Sequence, residues 1–323
     1  MKKKQKPAIK ILFLILILFV SNSAEAHWPG RIYSKDPFRE NYVTVCNEGN
    51  QLGGQLTTYA VVMGYAWSNG IQAYFHKSKL LNIPGGELNY KHIFHRLPQD
   101  FSQLDPRQPL HLGFYNGRNP YPYLSGNICI CGMPSYPLDY FHPYRAKIRE
   151  LYQPSEEIMQ ELRNKYSFLL DHPKTVAVHV RAYTPGLEVH WCLGKDYYES
   201  AIANFPDDHL FVVFSDRIGW CKQNLDFKGK NVVFIEGNIH LVDFYLMSFC
   251  KNIITANSTF SWWAAYLKQD EEGVILVPEK WFDFETPEQR KTFYPDHYKI
   301  HPIKHIPRPN LDIFGYETTS LGD

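Results

Sequence analysis

From residue 175 onward, short apolar runs alternate with amphipathic stretches of about ten residues, which is how consecutive βα units read. The runs fall at 175–181, 210–214, 231–235, 252–256 and 274–277, with helical patterns at 196–205, 217–225, 241–250 and 259–267 between them. One helix between successive strands makes every connection a crossover, so the predicted sheet is mostly parallel and covered on both faces. The first half opens in the same way. An apolar strand at 42–46 is followed by a Gly-rich turn, a helical pattern from 56 to 68 and a further strand at 71–75. Residues 82–140 are rich in Pro, Gly and Tyr with weak periodicity, which predicts loops and short elements capping a cleft. A helical stretch over 144–166, broken at Pro154, leads into the second half. The pattern predicts an α/β chain with two Rossmann-like domains, 27–170 and 171–305, joined near 167–173 and followed by a tail at 306–323.

The N-terminus breaks this pattern. Lys2, Lys3, Lys4, Lys6 and Lys10 precede an unbroken apolar run, 11–20, and then Ala24-Glu25-Ala26. A basic segment, a short apolar stretch and an Ala-x-Ala site form a secretory signal, with cleavage expected after Ala26. The run is shorter than the roughly 20 residues a spanning helix needs, so residues 1–26 serve as a cleaved signal or as an uncleaved anchor. Either use predicts a membrane-associated or exported chain, or one in a secretory lumen. Across all 323 residues 34 basic side chains face 33 acidic ones, and no basic field exists to attract nucleic acid. Aromatic residues make up 15% of the chain, which excludes disorder and suits a cleft for flat or sugar-like ligands. The six cysteines, Cys46, Cys129, Cys131, Cys192, Cys221 and Cys250, form no C-x-x-C pair, so the expectation is scattered buried thiols without zinc. Cys129 and Cys131 would share one face of a strand as small hydrophobes.

Candidate chemistry gathers at the predicted strand ends. Asn257-Ser258-Thr259-Phe260 ends one apolar run and starts a helix, which sets backbone N–H groups and two hydroxyls where an anionic phosphate is held. A plain N-cap uses the same residues. His179 and Arg181 end the 175–181 strand on one face, where ligands of open α/β sheets bind, and Arg offers a bidentate fork to a pyrophosphate. Asp216 closes the next strand, and Asp243 interrupts an apolar helical face, suited to accept two hydrogen bonds from guanine. Gly53-Gly54-Gln55 sits between strand and helix, where glycines allow close backbone approach. The chain holds neither a G-x-x-x-x-G-K-[ST] loop nor G-x-G-x-x-G, which weakens kinase-like and dinucleotide readings. Without an Asp-x-Asp pair, no metal is expected at a sugar diphosphate.

In this order these segments resemble the α-1,2-fucosyltransferase family. Gly49-Asn50-Gln51-Leu52-Gly53-Gly54-Gln55 is similar to its N-terminal Gly-Asn-Gln segment, His179-Val180-Arg181 to its His-x-Arg motif, and the stretch from Asp243 to Trp263 matches nearly residue for residue. The resemblance spans roughly 42–282. It departs where the family reads His-x-Arg-Arg-Gly-Asp, since Arg181 is followed here by Ala182-Tyr183-Thr184. The resemblance implies a B-type glycosyltransferase that uses GDP-fucose without a metal cofactor and inverts the anomeric centre, with a glycan acceptor in the first domain. On this reading Arg181, Ser258 and Thr259 stabilise the leaving diphosphate; His179, Asp216, Asp243, Asn257 and Phe260 complete the donor site; Gly53, Gly54 and Gln55 form an acceptor-side loop. Glu188 and His190 are candidate bases. The rival reading is an exported carbohydrate-binding protein on a degenerate transferase fold.

Overall fold

The computed structural model describes residues 40–46, 51–99, 107–113, 121–132, 137–182, 193–268, 270–281, 286 and 292–303. The signal segment 1–26, the tail 306–323, Cys192, Glu188 and His190 lie outside the described residues. In the first half, β1 (Tyr42–Val45), α1 (Leu52–Asn69) and β2 (Gln72–Ala73) form the expected βαβ unit. Next come α2 (Lys77–Leu81), α3 (Gly86–His92), β3 (Leu110–Leu112), β4 (Ile128–Ile130), α4 (Leu138–Phe141), α5 (Arg145–Leu151) and α6 (Glu156–Leu170). The strands pair in parallel in the order β2-β1-β4-β3. Strands β3 and β4 have three residues each, too short to show a period, and this is why residues 82–140 read as loops.

One helix start differs from the sequence reading, and the break at Pro154 falls where the sequence puts it. Helix α1 begins at Leu52, so Gly53, Gly54 and Gln55 belong to its first turn and not to a loop. It ends where Gly70 takes the left-handed conformation, φ 63°, that closes a helix. Helix α6 restarts after the Pro154 break with Ser155 as its cap, whose hydroxyl accepts from the Ile158 N–H at 3.3 Å.

The second half follows the predicted alternation: β5 (Thr175–Val180), α7 (Lys195–Ile202), β6 (Leu210–Ser215), α8 (Ile218–Asn224), β7 (Asn231–Phe234), α9 (His240–Phe249), β8 (Asn252–Ile254), α10 (Thr259–Leu267) and β9 (Ile275–Pro278). A short edge strand, β10 (Lys299–His301), carries no sequence signal. All six strands are parallel, in the order β10-β9-β8-β5-β6-β7. The chain therefore enters at the centre, winds outward over β6 and β7, and returns to build β8, β9 and β10 on the other side. The reversal falls between β5 and β8, the place where doubly wound sheets bind ligands beyond their carboxyl ends.

Both sheets lie within one compact unit, Pro37–Asp323. Alternation along β5 divides the core. Val176, Val178 and Val180 pack on one face with Phe211, Val213 and Tyr198. Ala177 faces the other side, into a larger core that α1, α4, α9 and α10 build from both halves. In that core Trp263 stacks on Phe141 at 5.2 Å, and its indole N–H donates to Thr57 Oγ1 at 2.8 Å. Tyr152 donates to the Leu56 carbonyl, and Tyr245 donates to the Tyr152 carbonyl. The Trp263–Thr57 and Tyr245–Tyr152 bonds thus tie the halves by directed contacts as well as by apolar burial.

Candidate functional site

The carboxyl ends of β5, β6 and β8 open on a cavity of about 940 Å³, walled on its far side by the first turn of α1 and by Pro84, Gly85 and Asn89. Its volume falls at the upper end of the usual range for small-molecule sites. Of the residues singled out by sequence, Gly53, Gly54, His179, Arg181, Asp216, Asp243, Ser258, Thr259 and Phe260 line it. Gln55 and Asn257 stand behind the wall, both about 1% exposed. Asn257 donates to the Trp281 carbonyl at 3.3 Å and so holds the loop that leads into α10.

Arg181 lies just past β5, and its guanidinium donates to Asp216 Oδ2 at 2.5 Å. The other Asp216 oxygen accepts the Ala182 N–H at 3.0 Å. One carboxylate from the end of β6 thereby fixes both the fork of Arg181 and the backbone that carries it. The pair remains partly open, with Arg181 41% exposed where it lines the cavity. His179, two residues earlier on the same face, is buried against the Phe260 ring at 5.5 Å. Burial, and then the neighbouring Arg181 charge, push its pKa down to about 3, so the ring is neutral at physiological pH. Its Nδ1 is buried with no partner among the described residues.

Helix α10 begins at the same spot. Ser258 caps it by accepting the Phe260 N–H at 3.4 Å. Ser258, Thr259 and Phe260 at this helix start therefore line the same cavity as Arg181. Opposite stands the start of α1. A methyl group added at Gly53 would run into the Thr259 side chain and backbone, so glycine is what lets the two helix starts meet. Asp243, in the first turn of α9, accepts from Asn238 Nδ2 at 2.8 Å, and burial raises its pKa above the ordinary carboxylate value.

Sequence reasoning missed a polar chain that closes the far wall. Gln55 Nε2 donates to the Pro84 carbonyl at 3.0 Å, and Asn89 Nδ2 donates to Gln55 Oε1 at 2.9 Å. Asn89 Oδ1 then meets His240 Nε2 at 2.6 Å. Since Oδ1 can only accept, His240 carries its proton on Nε2 and presents Nδ1 as an acceptor. Burial lowers the His240 pKa. Asn89 and His240 line the cavity, yet neither sits at a strand end. Their spacing of 151 positions left no local signal.

Arginine and a helix start at the switch point of a doubly wound sheet, facing a second α/β layer across a cavity, form an arrangement suited to an anionic ligand. The family model described as glycosyl transferase family 11 matches residues 88–300, and the chain belongs to that family. It is 34% identical over 157 residues to the alpha-1,2-colitosyltransferase of Escherichia coli, covering 45% of this chain and 53% of that one. It is 28% identical over 244 residues to human galactoside alpha-(1,2)-fucosyltransferase 1, covering 67% and 63%. The chain thus spans about half to just under two thirds of the length of these relatives. Among solved structures, the fucosyltransferase NodZ from Bradyrhizobium superposes with a TM-score of 0.46 at 14% identity, over 70% of this chain and 92% of that one.

Proposed function

We propose that the chain transfers L-fucose from GDP-fucose to a sugar hydroxyl, in α-1,2 linkage to a galactoside and with inversion at the anomeric carbon. The observation that supports this reading best is the convergence of the Arg181 fork with the start of α10 at the switch point of the larger sheet. Transfer passes through an oxocarbenium-like state while negative charge builds on the departing diphosphate. Arg181, the first N–H groups of α10 and the Ser258 and Thr259 hydroxyls neutralise that charge, and Asp216 keeps the fork aimed. The neutral His179 adds no charge and offers its ring to the nucleotide. Asp243 accepts from the N1–H and amine of guanine. The acceptor enters from the α1 side past Gly53 and Gly54, and His240 Nδ1 stands on that wall in acceptor form, able to take the hydroxyl proton.

The linkage and the sugar have different support. Both named relatives are α-1,2 transferases, while one is named for colitose and the other for fucose. A different GDP-sugar is therefore the second reading. We also propose that the nucleotide is handled without a divalent cation. Among the described residues, the only cluster of three or more metal-capable side chains lies outside the cavity. Export or membrane attachment through residues 1–26 belongs to the same proposal.

The test is calorimetry of the full chain with GDP, ADP and UDP, followed by incubation with a panel of GDP-sugars and galactoside acceptors read by mass and by NMR of the linkage. Micromolar GDP binding with an α-1,2-fucosylated product is expected. Absence of GDP binding would return the chain to a sugar-binding role, and a product formed only from another GDP-sugar would establish the second reading.

A further inference from the structure

Three cysteines that the spacing had scattered meet at the carboxyl end of the smaller sheet. Cys46 directly follows β1, Cys129 lies on β4 with Cys131 just past its end, and His111 lies on β3. The register places His111 beside Cys129, and Val45 beside Ile130, which sets Cys46 level with Cys131. Because residues two apart share a face, and paired residues on neighbouring strands share it too, all four side chains project to one side. Their donor atoms lie within 4.8 Å of one another. Cys46 Sγ stands at disulfide-bonding distance from the sulfurs of both Cys129 and Cys131, two bonds that one sulfur cannot make together. A disulfide joins only two sulfurs, so no single bridge accounts for three thiols and an imidazole in one place.

We propose that Cys46, Cys129, Cys131 and His111 bind one zinc ion as a closed structural site, independent of the function proposed for the cavity. Three thiolates and one imidazole are the donor set that favours tetrahedral zinc over hard cations. Bonds of roughly 2.3 Å to sulfur and 2.0–2.1 Å to nitrogen at tetrahedral angles separate sulfur from nitrogen by about 3.6 Å. The His111 Nδ1 lies 3.6 Å from Cys46 Sγ and 3.6 Å from Cys131 Sγ. Binding releases three thiol protons, leaves the histidine neutral and gives the centre one net negative charge. No electron transfer is involved. All four donors come from the protein, so no coordination position is left for a reactant.

The fold has a use for such a clamp. β3 is an edge strand of three residues, with Leu110 and His111 exposed, and backbone pairing of that length is weak. A metal joining β1, β3 and β4 would hold the three carboxyl ends in register.

The decisive measurement is the metal content of the full chain, purified without chelator or metal-affinity resin, by mass spectrometry, with thiols titrated after unfolding in chelator but no reductant. One zinc per chain and six reactive thiols are expected. Metal-free protein, or a peptide in which Cys46 is bridged to Cys129 or Cys131, would overturn the proposal. Cys131→Ser and His111→Ala should each bring bound zinc below about a tenth of an equivalent, and His111→Cys should restore it. Cobalt replacing zinc should give the intense thiolate charge-transfer band of a tetrahedral site in the wild type and in His111→Cys. If Cys131→Ser does not fold, His111→Ala and His111→Cys, both at an exposed position, decide the matter. Zinc kept undiminished by a folded His111→Ala would rule out this ligand set.

Discussion

At the scale of single residues, the proposed donor site rests on one guanidinium that Asp216 holds. Arg181→Ala should lower kcat/KM by more than about a hundredfold, because a charge-stabilising donor is typically worth ~3 kcal/mol in the transition state. Arg181→Lys should recover little, since a point charge cannot replace a fork that binds Asp216 and phosphate together. Near-normal turnover by the alanine variant would place the donor elsewhere. Asp243 carries the test of base choice. Its carboxylate is partly desolvated, and Asn238 supplies one of its hydrogen bonds. Asp243→Ala should weaken GDP binding and narrow the preference for GDP over ADP and UDP, because a site that pairs with a base edge rejects analogues lacking the donors. Competition binding of the three diphosphates checks this, and an unchanged preference would reduce Asp243 to a helix carboxylate.

At the scale of elements, the juncture of α1 and α10 joins the two halves at the site. Gly53→Ala sets two effects against each other. Alanine gains up to about 1 kcal/mol of helix propensity over glycine. Its methyl group runs into the Thr259 side chain and backbone, and overpacking of that kind costs about 1–3 kcal/mol. The clash should win, because backbone cannot swing aside as the end of a flexible side chain can. The expected outcome is a lower unfolding midpoint and weaker GDP binding in the same variant, measured by thermal melts with and without nucleotide. A midpoint that rises, with GDP binding intact, would show that the helix starts have room to separate.

For the whole molecule, pH exposes what burial has done to histidine. The His179 pKa is about 3 when folded against 6.5 for the free side chain, and burial lowers those of His240 and His142 as well. Between these values the unfolded chain binds more protons than the folded one, so stability rises with pH across that window and is lost as pH falls below 6.5. Each such proton contributes a slope of up to about 1.4 kcal/mol per pH unit. Asp243 opposes this over its own window, because a raised acid pKa means that the folded state holds the extra proton. The paired carboxylates Glu157, Asp208 and Glu271 act in the same direction as histidine, but they are exposed and water screens them. Urea unfolding from pH 7 to 4 should therefore show falling stability, with a shallower slope in His179→Phe. Equal slopes in the two proteins would mean that His179 is not held neutral by the fold.

How much of this the chain declared in advance depended on range. The winding of the second half was legible because buried parallel strands of four to six residues and their covering helices carry their own periods, as at Thr175–Val180 and Leu210–Ser215. Arg181, Asp216 and Thr259 were legible for the same reason, since in such a sheet the ends of strands near the switch point converge. The start of α1 was misread as a turn, because two glycines signal a bend unless a neighbour from far along the chain, here Thr259, demands the space. Only the tertiary structure decided the Gln55, Asn89 and His240 chain and the meeting of Cys46, Cys129 and Cys131. Parallel pairing brings together residues 83 and 85 positions apart, and no local pattern of side chains records which distant strand will lie alongside.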